Sequence, residues 1–389
     1  MKKVFNLLVS FVLLAGFSAC SKDDSGNQQV PKNPVPSADY KGLAFISSGE
    51  STVRLAQVGT PYEISLEYST DESHWKPYTI GETITLADST FLLFRDGEHR
   101  NHRFSKDTEN YYHFEISGPI SAQGNIMSLL NRNFSTPLSK YVFFALFEGC
   151  TSLLSAPELP TTTMEYGCYS QMFSGCTALK SAPELPAEVL AMNCYQRMFR
   201  GCSTLTSAPK LPATKMEQSC YFGMFSECTG LTSAPELPAK VLASNCYGMM
   251  FKGCSALTSA PELPATEMKS YCYNSMFTNC TSLKFAPELP AKRLESNCYL
   301  CMFEGCTSLT SAPELPATEL VSHCYEFMYK DCRNLRYVIG LFTTEPSEKT
   351  TKDWLSGVAA SGTFVKSKKA TWDVTGADGV PEGWKIETW

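Results

Sequence analysis

Cys168-Tyr169-Ser170-Gln171-Met172-Phe173-Ser174-Gly175-Cys176 decides how this chain is read, because the phrase returns every 26 residues. The opening cysteine recurs at Cys194, Cys220, Cys246, Cys272, Cys298 and Cys324. The closing one recurs at Cys202, Cys228, Cys254, Cys280, Cys306 and Cys332, and Cys150 closes a degenerate copy ahead of the first. Between successive copies lies a second phrase of the form L-T-S-A-P-E-L-P-A, which appears seven times with small variations, starting from Leu153 to Leu309 and always keeping A-P-x-L-P. A fixed period in the twenties is the mark of a solenoid. One unit is too small to bury its own apolar face, so each coil borrows its interior from the next.

Within the coil that starts at Cys176, Leu179, Ala182, Leu185 and Leu190 are expected to point inward. Pro183 and Pro186 have no N–H, so this arm should be short, extended or polyproline-like, with ladder bonds only beside the prolines. Tyr195, Met198, Phe199 and Cys202 stand at i, i+3, i+4 and i+7, which predicts a short helix with one buried face. Asn193, like Asn245 and Asn297, is placed to cap that helix. Gly201 should end it in a left-handed conformation, as should Gly149, Gly175, Gly253 and Gly305 in the same slot. The expected rise is about 4.8 Å per coil. The three asparagines recur every 52 residues, so the array looks built from duplicated pairs of coils.

Of seventeen cysteines, fifteen occupy the two repeat slots, Cys20 lies in the leader and Cys301 stands apart. One residue type in one recurring slot reads as two stacked core columns of free thiols. Neighbours about 5 Å apart are also within disulfide reach, so bridging stays open.

Residues 1–19 carry Lys2 and Lys3 and then an apolar run from Val4 to Phe17, the pattern of a signal peptide. Phe17-Ser18-Ala19-Cys20 resembles a bacterial lipobox, which implies acylation at Cys20. Lys22, Asp23 and Asp24 resemble the export signal that sends Bacteroidota lipoproteins to the outer face of the outer membrane. Residues 20–39 read as a flexible tether. In 40–118, period-two alternation broken by Gly, Pro, Asp and Ser predicts an antiparallel β-sandwich-like domain. Its Ser69 to Trp75 stretch reads as a turn covered by an aromatic. His99 and His102, beside Glu98 and Asp96, read as a solvated cluster rather than a metal site. Residues 119–149 should form an N-terminal cap, 150–338 the solenoid, and 339–389, with Trp354, Trp372, Trp384 and Trp389, a small β-rich cap.

M-F-x-G-C-T-x-L, first at Met172 to Leu179 and last at Met302 to Leu309, resembles the leucine-rich repeats of BspA-like (Treponema-type) surface proteins. The resemblance spans about Tyr141 to Val338. It implies a leucine-rich-repeat solenoid of 26-residue coils, each a short extended arm plus a short helix. It also implies adhesion or ligand binding at the cell surface without catalysis. This chain departs from it in the A-P-E-L-P arm, where I-x-I-P is commoner, and in Cys-Tyr, where Ile-Gly is commoner.

A net charge of −6 with no basic stripe argues against nucleic acid as a partner. No Ser-His-Asp set, catalytic carboxylate pair or phosphate loop stands out, so neither an enzyme nor a cofactor or metal site is expected. Cys298-Tyr299-Leu300-Cys301 spells C-x-x-C, but Cys301 fills a variable slot. Two columns are candidates for a binding strip. Glu158, Glu184, Lys210, Glu236, Glu262, Glu288 and Glu314 form one. Tyr169, Tyr195, Tyr221, Tyr247, Tyr273, Tyr299 and Tyr325 form the other, for which half-buried packing is the competing reading. The expectation is an outer-membrane, lipid-anchored, surface-exposed scaffold that binds a host or bacterial extracellular protein, or a glycan. The alternative is a glycan-capture lipoprotein that works through its β-rich terminal domains.

Overall fold

The computed structural model describes residues 35–97, 101 and 103–389. The leader, Cys20, Lys22, Asp23, Asp24, Glu98, His99 and His102 lie outside the described residues.

Alternating side chains build two antiparallel layers first. In chain order the strands are β1 (Leu43–Ser47), β2 (Ser51–Val58), β3 (Leu66–Ser69), β4 (Lys76–Pro77), β5 (Thr83–Leu86), β6 (Phe91–Asp96), β7 (Tyr111–Ser117) and β8 (Ile120–Gln123). One sheet runs β4-β3-β6-β1-β8 and the other β5-β2-β7. The layers meet through Phe45 and Phe94 of the first, whose rings lie 5.0 and 5.6 Å from that of Phe114 in the second. The Ser69–Trp75 turn is held by Asp71, which accepts from the backbone N–H of Ser73 and His74, and Trp75 Nε1 donates to the Glu72 carbonyl. These bonds hold the Asp71 carboxyl well below its ordinary range.

This region runs into the solenoid without a break in the core. Strand β9 (Leu153–Ser155) pairs in parallel with β8. Phe114 of β7 stacks on Phe147 at 5.3 Å and starts a column that continues through Phe173, Phe199, Phe225, Phe251, Phe277 and Phe303 to Tyr329. The antiparallel layers therefore supply the first rung.

The helix predicted over Tyr195–Cys202 does not form. In Gly167–Cys176 the N–H groups alternate. Cys168, Ser170, Met172, Ser174 and Cys176 donate to carbonyls three residues back, closing successive turns. Gly167, Tyr169, Gln171, Phe173 and Gly175 donate forward to Met192, Cys194, Gln196, Met198 and Arg200 of the next coil. Every fourth residue is left-handed: φ is 59° at Gly167, 58° at Gln171 and 75° at Gly175. A backbone that sends every second N–H to its neighbour cannot hold the i→i−4 ladder of an α-helix. Asn193, Asn245 and Asn297 are consequently not caps. They occupy the first left-handed slot, with φ of 57°, 58° and 59°. Gly201 and its equivalents occupy the third, in the left-handed conformation expected of them.

The side chains still face where the pattern put them. Cys, Tyr, Met and Phe of every full coil are buried, and the Phe and Tyr rings stack nearly parallel. Centroids from Phe147 to Tyr329 are 5.4–5.8 Å apart, above the 4.8 Å expected. The arms follow the proline rule. Thr232 donates to Thr206 and Thr258 to Thr232 just before each A-P, with single parallel bridges such as Ser207 to Ser233.

Where the prolines stop, a true sheet appears. The last A-P-E-L arm, β10 (Ser311–Leu315), pairs in parallel with β11 (Tyr337–Gly340), which pairs with β12 (Thr363–Lys366) and then β13 (Lys385–Thr388). The chain thus keeps coiling beyond Val338, where the repeat phrase fades. Tyr325, Phe327, Tyr329 and Asp331 donate to carbonyls of Thr350, Lys352, Trp354 and Ser356 in the register of earlier coils. Trp354 fills the methionine slot and stacks on Tyr325 at 6.2 Å.

Candidate functional site: the proline arms of the solenoid

The two candidate columns separate cleanly. Tyr169, Tyr195, Tyr221, Tyr247, Tyr273, Tyr299 and Tyr325 are at most 2% exposed, so they form an interior stack and offer no strip to a ligand. Burial pushes their hydroxyls well above the ordinary tyrosine range. They sit beside the opening cysteine in a pair of successive inward residues, with the outward pair following.

Glu158, Glu184, Lys210, Glu236, Glu262 and Glu288 are exposed, and Glu314 partly so. Leu and Ala of each arm turn in and anchor it, which leaves the acidic residue and the second proline facing out. Successive arms enclose shallow cavities: 360 Å³ beside Glu158 and Glu184, 420 Å³ beside Lys210 and Glu236, and 440 Å³ beside Glu236 and Glu262. Among the described residues none of the seven charges takes part in an ion pair. From Glu184 to Glu288, the Glu and Leu N–H groups of the arms have no backbone partner among the described residues. Exposed apolar residues flank the arms: Val189 and Val241 just after, and Phe285, 68% exposed, just before.

The thiols are internal. All sixteen cysteines among the described residues are free, and fifteen are buried. The closing thiols donate to a phenylalanine carbonyl one coil back, as Cys176 does to Phe147 at 3.1 Å and Cys228 to Phe199 at 3.0 Å. Burial pushes Cys168 and Cys220 up to about 12. Cys301, half-buried near Glu304, is also pushed up to about 12, so neither member of the C-x-x-C is an activated nucleophile. His323 faces Glu326 at 2.6 Å. Among the described residues no group of three His, Cys, Asp or Glu is arranged to hold a metal ion, and no helix is long and apolar enough to cross a membrane.

The chain matches no protein-family model, no curated protein and no solved structure.

Proposed function

We propose that the chain is a surface-displayed, lipid-anchored scaffold whose solenoid holds its proline arms toward an extracellular macromolecule, in adhesion or ligand binding, without catalysis. One observation carries this reading. The chemically active side chains of the coil are sealed inside, while the exposed arms repeat an unpaired charge beside unbonded backbone groups and flanking apolar residues. Such a face suits many weak contacts made together, whose avidity exceeds any single one. The resemblance to BspA-like leucine-rich repeats and the lipobox-like Cys20 support the same reading.

The test uses the mature chain against arrayed extracellular-matrix proteins and glycans. Glu184→Gln, Glu236→Gln, Glu262→Gln and Glu288→Gln, combined, should weaken capture at least tenfold and remove most of its salt dependence. Unchanged capture by that variant would overturn the assignment to this face. Protease accessibility on whole cells, with and without Cys20→Ala, tests the display.

A further inference from the structure

A separate cavity of 230 Å³ opens on the N-terminal layers, bounded by Tyr40, Gly42, Arg95, Ser128, Arg132 and Phe134. Two cations share one anion there. Arg95 and Arg132 both bind one oxygen, Oε2 of Glu67, at 2.7 and 3.0 Å. Nη1 of each guanidinium has no partner among the described residues, while Lys41 and Asp39 on the rim, with Glu72 near Tyr40, balance the surrounding charge. The cations are also held in place. Arg95 lies 3.7 Å over the Trp75 ring, and Arg132 Nε donates to the Asp96 carbonyl at 3.0 Å.

The space depends on a glycine. A Cβ at Gly42 would stand 2.6 Å from the Tyr40 hydroxyl and 2.9 Å from Ser128 Cβ. The polar floor is fixed, since Ser128 Oγ accepts from the Leu43 N–H at 2.9 Å and the Tyr40 hydroxyl donates to the Phe94 carbonyl at 2.9 Å. On the wall, Phe134 is held at φ 56°, a left-handed conformation that a bulky residue adopts at a cost. The volume equals that of about seven or eight waters, more than a bare inorganic anion fills. Two aromatic walls suit a body with an apolar C–H face. Paired guanidiniums suit a planar carboxylate.

We propose that this cavity binds a hexuronic acid residue, its carboxylate on Arg95 and Arg132 and its ring between Tyr40 and Phe134. The site is independent of the solenoid arms, so the four Glu→Gln substitutions above leave its binding unchanged.

Calorimetric titration of the mature chain with glucuronate, galacturonate, glucose, acetate and sulfate tests it. At least one uronate should bind, acetate about tenfold or more weaker, and glucose not at all. Arg132→Ala, at a largely exposed position, should weaken the uronate at least tenfold, and Arg132→Lys less. Phe134→Ala should weaken the uronate but not acetate. Equal binding of glucose, equal binding of sulfate, or uronate affinity unchanged in Arg132→Ala would each overturn the proposal.

Discussion

Raising the pH above about 9 should unfold the solenoid abruptly. An unfolded thiol ionises near 9, the ordinary value for these groups. Burial pushes the folded thiols up to about 12 at Cys150, Cys168, Cys220, Cys228 and Cys272 and to about 11 at Cys324, with the other repeat thiols also raised. The folded state then keeps its protons while the unfolded state sheds them. Stability is therefore intact below about 9 and falls as pH rises toward the folded values. The slope for each thiol approaches ~1.4 kcal/mol per pH unit, which gives about 1 kcal/mol lost per thiol between pH 9 and 10. Fifteen buried thiols share the effect. Their combined loss, on the order of 15 kcal/mol, matches the whole stability of a typical domain. Buried tyrosines add the same sign of effect from about 10 upward. The assay is circular dichroism and thermal melting from pH 7 to 11 under reductant. Replacing Cys202, Cys228 and Cys254 with alanine should move the transition to higher pH. A melting temperature that stays level to pH 11 would refute the reasoning, because it would mean that the thiols already titrate freely in the folded chain.

Four further outcomes follow from single positions. Tyr195→Phe should raise stability by about 1 kcal/mol in denaturant titration, because its buried hydroxyl has no hydrogen-bond partner while its ring stays stacked between Tyr169 and Tyr221. Gly201→Ala should cost about 1 kcal/mol through its φ of 72° alone, since the added Cβ comes no nearer than 3.8 Å to another atom. Met249→Gly, in the middle left-handed slot that Gly223 also fills, should raise the melting temperature slightly: relieved strain of about 1–2 kcal/mol exceeds the entropy cost of about 0.5–1. Phe199→Ala should cost about 3–5 kcal/mol and loosen both adjacent coils, measured as faster amide exchange at Phe173 and Phe225.

The repeat, its register and its interior were legible because the same side chain returns to the same slot, and burial depends on little else. The local backbone was not legible by helical spacing. Tyr195, Met198, Phe199 and Cys202 fit a helical face, but the fuller set Cys194, Tyr195, Met198, Phe199 and Cys202 comes as pairs with a strict period of four. That period, with Gly or Asn standing one residue before four of the seven opening cysteines and six of the eight closing ones, was the available signal for left-handed residues closing successive turns. Val338 looked like the end of the repeat because its markers vanish. Trp354 and Leu355 replace the Met-Phe pair, and hydrogen bonding from the previous coil needs only their carbonyls. The Arg95–Glu67–Arg132 cluster was missed because its members lie 28 and 65 residues apart and share no motif.

The prolines explain how one molecule can be both rigid and receptive. Along Gly167–Cys176 the coil gives five N–H groups to the next, and this segment carries the coil-to-coil cohesion together with the Phe and Tyr stacks. At the arm, Pro183 and Pro186 break that ladder, and the N–H groups of Glu184 and Leu185 have no backbone partner among the described residues. A ligand that engages the arm therefore displaces no bond that holds the coils together. The same prolines stiffen φ, so the arm loses little entropy when it is engaged. In β11 and β12 the backbone is already paired on both sides, and only side chains remain for contact. Binding capacity should accordingly fall off past Leu315: replacing Pro235 and Pro238 with threonine would let the central arms pair as β10 and β11 do. That variant should gain β-sheet signal and thermal stability while losing capture of the macromolecular partner. A gain in stability with capture intact would show that the free backbone of the arms plays no part in recognition.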